Sequence, residues 1–288
     1  MLYENLSKKQ ADLCALVLTA SQIPFRVVYD RNGYDIWVAE DAYQRAVSCM
    51  QSYFNENRQP FSFPDESPLL TIGSVVSSLI AVLILMAIYY WTVTSHSEEF
   101  MIEHFGSSAR HVLHGNLYRV ATSLMLHADL AHLAGNIVGI CIFMTAVCAV
   151  CGWGVGWLLI LISGAVGNWI NAVMYESGHV SIGASTAIFG AIGILSGYQL
   201  INTRKFHKRR FEAWAPLACG LALLGLLGSG PHSDITAHFF GFTAGTVLGL
   251  VYALIFRFPL RLFFQEVSIC LAVFMVVMAW LIGCGAFR

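Results

Sequence analysis

Charged residues are scarce in this 288-residue chain, and this scarcity decides its broad class. They make up 11 % of the sequence, against about a quarter in an average soluble domain. Hydrophobic residues make up 57 %, which predicts a protein that crosses a membrane several times. The formal net charge of −1 argues against nucleic-acid binding, which needs a concentrated basic surface.

The chain also lacks the usual sequence signatures of metal and disulfide sites. Its eight cysteines include Cys148 and Cys151 at a CxxC-like spacing, but no second pair accompanies them, so packing within a helix is favoured over a redox or metal role. There is no HExxH motif, which disfavours a metalloprotease, and no paired aspartates in an apolar segment, which disfavours an aspartyl intramembrane protease. We expect neither a metal nor any other cofactor.

The first 60 residues are more polar than the rest and carry short periodic patterns. Lys8, Lys9 and Asp12 stand where a signal peptide would need an apolar core, so a retained, soluble N-terminus is expected. Two helical patterns flank two alternating patterns, which predicts a small αββα domain over 1–60. Three of the seven prolines lie close behind it and indicate a linker, placed at 61–68.

Beyond the linker, apolar stretches of about 20 residues follow one another, each long enough for a transmembrane helix. We predict seven of them, at 69–93, 132–151, 154–175, 185–202, 212–229, 235–256 and 266–286. The fold class is therefore an all-α, polytopic membrane bundle that follows a small soluble α+β domain.

A basic cluster between the fourth and fifth predicted spans sets the expected orientation. Its members are Arg204, Lys205, Lys208, Arg209 and Arg210. Because basic loops stay in the cytoplasm, the N-terminal domain should be cytoplasmic and the C-terminus external. The connection 94–131 is then external, and its mixture of apolar and polar residues predicts an interfacial segment partly embedded in the bilayer.

Four polar residues fall near the outer ends of the second, fourth and sixth predicted spans. His132 and Asn136 lie at the start of the second, Ser185 at the start of the fourth, and His238 four residues into the sixth. Alternating helices make these three spans parallel, so the four side chains should meet at one depth. Polar groups at membrane depth are costly and usually face the bundle interior or a watery cavity.

This set of residues is suited to nucleophilic catalysis. A serine hydroxyl needs a neighbouring base, and a histidine, with an ordinary pKa near about 6.5, is the natural one at neutral pH, so Ser185 and His238 can form such a pair. His132 and Asn136 share one helical face and can donate hydrogen bonds to an oxyanion. The N–H of Ser185, in the first turn of a helix, can add a third.

Small and aromatic residues support this arrangement. Gly241 and Gly245 belong to a GxxxGxxxG stripe that lets the sixth span approach its neighbour closely. Gly183, two residues before the serine, has no side chain and leaves space beside it. Phe189, one turn after the serine, can stack on the imidazole and orient it without a carboxylate.

Other interpretations of the same residues stay open at this point. A glycine-flanked serine in a membrane helix is often a packing residue, and Asp234 fits a helix N-cap better than the third member of a triad. His127 fits a structural donor that ties down the external connection better than a base. A small-molecule transporter would also place His and Asn at membrane depth, although the chain shows no inverted repeat and no acidic residue within the second, fourth or sixth span.

The motifs HADLAHLAGN, GASTAIFG and AHFFGFTAG resemble those of rhomboid intramembrane serine proteases. The resemblance covers about 69–256 as a six-helix core, and 257–288 resembles the additional C-terminal helix of six-plus-one, bacterial-type members. It implies that Ser185 is the nucleophile and His238 the base. It further implies that His132 and Asn136 line the oxyanion hole.

Two departures from the family pattern leave these expectations standing. The Trp-Arg pair of the family's external loop is matched by Tyr118-Arg119, and Phe189 stands where the family often has Tyr. Together the residues and the resemblance predict a metal-free endopeptidase that cleaves transmembrane proteins near the outer face of the bilayer. The expected lack of a targeting peptide and the positive-inside pattern suit a bacterial inner membrane. A catalytically silent relative that binds transmembrane helices is the main alternative, and it would be expected to lack the serine or the histidine.

Overall fold

The computed structural model describes residues 1–30, 33–56, 71–175, 178–205, 217–223, 225, 234–256 and 260–285. The chain divides into two compact units, an N-terminal one and a larger one that contains all the long apolar helices. The predicted linker 61–68 and most of the predicted fifth span 212–229 lie outside the described residues.

The N-terminal unit is a three-stranded antiparallel sheet with two helices. Its elements are β1 (Tyr3–Leu6), α1 (Lys8–Ala20), β2 (Phe25–Asp30), β3 (Gly33–Val38) and α2 (Tyr43–Glu56), with the sheet order β1-β3-β2. Leu18, Ile36 and Met50, from α1, β3 and α2, are fully buried between the layers. The first strand was not predicted, because four residues are too few to show an alternating pattern.

The larger unit is built from helices of very different lengths. They are α3 (Ile72–Thr94), α4 (Glu98–Phe105), α5 (Ala109–Leu113), α6 (Arg119–Thr122), α7 (Leu130–Cys151), α8 (Trp153–Tyr175), α9 (Ser185–Lys205), α10 (Ile235–Ile255) and α11 (Leu262–Gly283). Residues 217–223 are also helical. Two short strands, β4 (Ser107–Ser108) and β5 (Val180–Ser181), pair with each other.

Among the described residues, five helices are long and apolar enough to cross a bilayer: α3, α7, α8, α10 and α11. The protein is therefore a multi-pass membrane protein. Helix α9 matches the predicted span 185–202 in position and length, but polar residues such as Ser196 and Gln199 lower its mean hydropathy. The count of seven spans thus stays a prediction.

Glycines bring α9 and α10 into backbone contact. A Cβ added at Gly241, Gly245 or Gly249 of α10 would strike a backbone carbonyl of α9, those of Thr186, Gly190 and Ile194 in turn. The relation is mutual, because a Cβ on either of two glycines in α9 would strike a carbonyl of α10. The predicted stripe of small residues therefore packs the helix of Ser185 directly against the helix of His238.

A buried glutamine fastens α11 to the start of α8. The Gln265 side-chain oxygen accepts the N–H groups of Gly154 at 2.9 Å and Val155 at 3.0 Å, and its amide donates to the Cys151 carbonyl at 3.1 Å. The first N–H groups of a helix have no partner within that helix, and in a bilayer water cannot supply one. Gln265 satisfies them at the turn where α7 reverses into α8.

A buried arginine orders the connection between α3 and α7. Arg119 is 4 % exposed, and its guanidinium donates to the carbonyls of Glu103 at 2.7 Å and Gly106 at 3.0 Å. Thr122, one turn later, donates to the Phe105 carbonyl at 2.7 Å. The Tyr118-Arg119 pair therefore lies where it secures α4 and β4, and Arg119 acts on the shape of this connection rather than on the dyad.

Candidate active site

Ser185 begins α9 directly after a turn that only glycine adopts easily. Gly183 has a φ of +111° and donates its N–H to the Ser123 carbonyl at 2.9 Å. Before it, Ser181 of β5 pairs with Ser107 of β4. The turn places Ser185 in the first position of a helix, where its N–H points away from any intrahelical acceptor.

The structure brings Ser185 and His238 together. The serine Oγ lies 2.7 Å from Nε2 of His238, which is 5 % exposed. With the imidazole proton on Nδ1, the hydroxyl donates to Nε2, the geometry that a base needs to take the serine proton. The ring of Phe189 stacks on the imidazole, with 4.7 Å between centroids and 27° between planes.

His132 and Asn136 lie beside the same turn. Asp129 caps α7 by accepting the His132 N–H at 2.7 Å, which orients the first turns of the helix. A Cβ added at Gly183 would strike the His132 ring and come within 3.5 Å of the Asn136 amide nitrogen. Gly183 is therefore required both for its backbone angle and for the space that these two side chains occupy.

The Asn136 amide is a buried donor without a partner. The side chain is 4 % exposed, and its Nδ2 makes no hydrogen bond within the described part of the chain. A buried unsatisfied donor costs about 1–3 kcal/mol. Such a cost is understandable where a donor is kept ready for a charge that forms only during a reaction.

His127 lies next to His132 but makes none of the bonds expected of it. Its ring is 5.1 Å from the His132 ring in an edge-on arrangement, and neither ring nitrogen has a hydrogen-bond partner among the residues that the structure describes. Burial, together with the neighbouring His132, lowers the pKa of His127 to about 4. It is therefore neutral at neutral pH, and its role as a structural donor stays a prediction.

An apolar cavity lies on the opposite side of α9 from the imidazole. Its volume is about 290 Å³, and Ala, Val, Ile, Leu, Met and Trp side chains line it, among them Ala184, Ala187 and Ile188 beside the serine. Water gains nothing from entering a cavity without polar partners. This cavity therefore offers water no polar partner beside Ser185.

Asp234 is the N-cap of α10, and this interpretation is confirmed. Its Oδ1 accepts the Ala237 N–H at 3.0 Å. The sequence analysis missed the partners of its other carboxylate oxygen, which are Asn171 and His179. The sequence shows these two only as polar residues that precede the GASTAIFG motif. Across the described ranges, no three His, Cys, Asp or Glu side chains group closely enough to hold a metal ion.

Residues 114–257, half of the chain, match the Rhomboid domain family. The chain belongs to the rhomboid family. Every residue of the serine and histidine motifs lies inside the matched region, as do His132 and Asn136.

Rhomboid relatives share part of the chain at modest identity. RHOMBOID-like protein 1 of Arabidopsis thaliana is 30 % identical over 136 residues, 47 % of this chain and 34 % of that protein. Rhomboid protease GluP of Bacillus subtilis (strain 168) is 32 % identical over 145 residues, 48 % of this chain and 27 % of that protein. Inactive rhomboid protein 2 of Homo sapiens is 26 % identical over 135 residues, 47 % and 16 % of the two chains. The chain spans less than half the length of each of these relatives.

Proposed function

We propose that this rhomboid protein is an intramembrane serine endopeptidase that hydrolyses a peptide bond of a transmembrane substrate. The observation that carries the proposal is the 2.7 Å contact between Ser185 Oγ and His238 Nε2, held between two closely packed membrane helices. Neighbouring donors of the kind that acyl transfer requires support it.

The chemistry follows from the positions of the atoms. His238 Nε2 takes the hydroxyl proton of Ser185 as Oγ attacks the substrate carbonyl carbon, and the carbonyl oxygen becomes an oxyanion. The imidazolium then gives that proton to the departing amine, leaving an acyl-serine. A water molecule, deprotonated by the same imidazole, attacks the acyl carbon. The imidazolium then returns a proton to Oγ as the acyl bond breaks, which restores the Ser185 hydroxyl and releases the new carboxyl group.

Three donors are proposed to serve the oxyanion. They are the N–H of Ser185, at the start of its helix, and the Asn136 amide and His132 ring, which both lie next to Gly183. Each acts most strongly on a charge that forms only in the transition state. The stacking of Phe189 fixes the imidazole plane, which removes the need for a carboxylate at that position.

The membrane setting restricts the substrate. A transmembrane helix satisfies its own backbone hydrogen bonds, so a segment must unwind before its carbonyl reaches Ser185. Segments with helix-destabilising residues and small side chains at the cut should be preferred. We place the site near the external face of a bacterial inner membrane, with a cytoplasmic accessory domain over 1–60 and an external C-terminus, on the strength of the basic residues at 204–210.

The main competing function is that of a catalytically silent binder of transmembrane helices. The human relative named inactive, 26 % identical here, gives this alternative its weight. A silent protein has no need to keep a serine hydroxyl and an imidazole in contact, and both are present here at 2.7 Å. The reactivity of Ser185 therefore separates the two functions.

A fluorophosphonate probe should label the detergent-purified protein at Ser185. The activated Oγ attacks phosphorus and displaces fluoride, so labelling reports nucleophilicity without a known substrate. Wild type should be labelled, and Ser185→Ala and His238→Ala should not. Ser196→Ala is the matched control, because it removes a buried hydroxyl of the same helix, one that donates to the Ile192 carbonyl at 2.8 Å, and it should keep the label. Labelling that persists in Ser185→Ala contradicts the assignment of the nucleophile.

Asn136→Ala should lower kcat for a transmembrane substrate by about 100-fold while leaving KM nearly unchanged, as expected for one lost oxyanion donor. The loss should be smaller than for removal of the base, because the Ser185 N–H and His132 remain. Gly135→Ala on the same helix is the control, since a Cβ there meets no atom within 4 Å. An unchanged kcat in folded Asn136→Ala would remove this residue from the oxyanion site.

A further inference from the structure

Asp234 is connected to three separate segments of the membrane unit. Its Oδ1 accepts the Ala237 N–H at 3.0 Å and the Thr236 hydroxyl at 2.8 Å, both on α10. Its Oδ2 accepts the Asn171 amide of α8 at 2.7 Å and Nε2 of His179 at 2.5 Å. One carboxylate therefore joins α10 to α8 and to the segment that precedes β5.

These bonds involve the two segments that carry the proposed dyad. His179 lies six residues before Ser185, and only β5 and the Gly183 turn separate them. Asp234 lies one helical turn before His238, whose backbone N–H donates to the Asp234 carbonyl at 3.0 Å. The contact between Asp234 and His179 is thus a second link between the segment of Ser185 and the helix of His238.

Further contacts fix His179 on its own side. Its ring stacks on Tyr175 with 4.1 Å between centroids and 14° between planes, and its backbone carbonyl accepts the Ala109 N–H at 2.9 Å. A histidine held by a ring face, a backbone bond and a carboxylate has little freedom to move. The segment that enters β5 is therefore anchored at His179, directly before the strand.

The carboxylate is suited to hold these bonds in its ionised form. Burial raises the pKa of Asp234, but the hydrogen bonds from His179, the Ala237 N–H and Thr236 outweigh it, so the net pKa lies below its ordinary value. An ionised carboxylate accepts at all its positions and donates at none, which matches the four donors around Asp234.

We propose that Asp234 and His179 are positioning residues for the dyad, holding the segment that leads to Ser185 against the helix that carries His238. The proposal rests on the catalytic role proposed above for that pair. Neither residue touches the reacting atoms in this role, since the carboxylate bonds to Asn171, His179, Thr236 and Ala237. Their effect should therefore fall on kcat through geometry.

Three variants separate positioning from helix capping. Asp234→Ser keeps an N-cap oxygen for the Ala237 N–H and loses the bonds to Asn171 and His179. His179→Leu removes the same contact from the other side and leaves the cap untouched, while His179→Gln offers an amide donor in place of Nε2.

The experiment measures kcat and KM for a transmembrane substrate, the rate of fluorophosphonate labelling, and the unfolding temperature of each variant. Asp234→Ser and His179→Leu should each lower kcat and the labelling rate by about 10- to 100-fold, the scale expected for a displacement of about 1 Å. KM should change by less than about threefold, since the proposed effect is on geometry. The double variant should be no worse than the poorer single one. His179→Gln should recover most of the lost rate.

The outcomes distinguish this proposal from the one it rests on. Wild type that is not labelled overturns the serine protease function and the positioning role with it. Labelled wild type with undiminished rates in Asp234→Ser and His179→Leu overturns the positioning role alone. Two further outcomes also overturn the positioning role, because they show a purely structural bond. One is a loss of rate that parallels a loss of unfolding temperature, with no recovery in His179→Gln. The other is a failure of the variants to fold.

Discussion

Replacing His238 with alanine should slow cleavage of a transmembrane substrate by about ten-thousand-fold or more, the scale known for removal of a base that acts as a unit with its serine. The contact of 2.7 Å leaves no room for a water molecule between Nε2 and Oγ, so in the proposed mechanism the imidazole accepts the proton directly. The measurement is kcat/KM for one substrate in detergent and again in liposomes.

Two comparisons make this result specific. His114→Ala, at an exposed histidine whose ring bonds to the Arg110 carbonyl of its own helical turn at 2.6 Å, should keep wild-type turnover. The double variant Ser185→Ala/His238→Ala should be no slower than either single variant, because residues that act as a unit are not additive. Turnover within tenfold of wild type in a folded His238→Ala protein would contradict the dyad.

Adding a single methyl group at Gly245 should disrupt the site from a distance. A Cβ there would strike the Gly190 carbonyl of α9, a backbone atom that cannot rotate away. We expect Gly245→Ala to lower the free energy of unfolding by about 3 kcal/mol, the upper part of the range for overpacking, and to abolish probe labelling as the two helices separate. Denaturant-induced unfolding in mixed micelles measures the first effect.

The control for this prediction is the same substitution at another membrane-helix glycine. A Cβ at Gly73 of α3 would meet the Trp153 ring at 3.8 Å, an ordinary contact distance, so Gly73→Ala should change stability by less than about 1 kcal/mol and keep the label. Equal behaviour of the two variants would show that the contact between α9 and α10 tolerates more space than the structure indicates.

The parts of the structure that follow from periodicity and hydropathy were predictable from the sequence. Long apolar runs predicted α3, α7, α8, α10 and α11, and the glycine stripe predicted the close packing of α9 and α10. The contact between Ser185 and His238 was predictable because both residues begin helices that run in the same direction. The strand β1 was not, since it is recognised only by its pairing with β3.

Bonds between distant side chains and backbone groups leave no periodic signal, and the sequence analysis missed them. Gln265 bonds to groups 110 and 111 residues earlier, and His179 to a carboxylate 55 residues later. His127 shows the same limit, because its ring lies beside His132 as its position in the sequence suggested, while its role as a structural donor stays a prediction.

The hydrogen bonds of Gln265 also bear on the order in which the chain folds during its synthesis. The N–H groups of Gly154 and Val155 at the start of α8 find their acceptor on a residue made 111 and 110 positions later. At about 5–20 residues per second, a ribosome takes roughly 5 to 20 seconds to reach Gln265. For that interval the turn between α7 and α8 lacks the acceptor for its first N–H groups, so a helix made much later completes a turn made earlier.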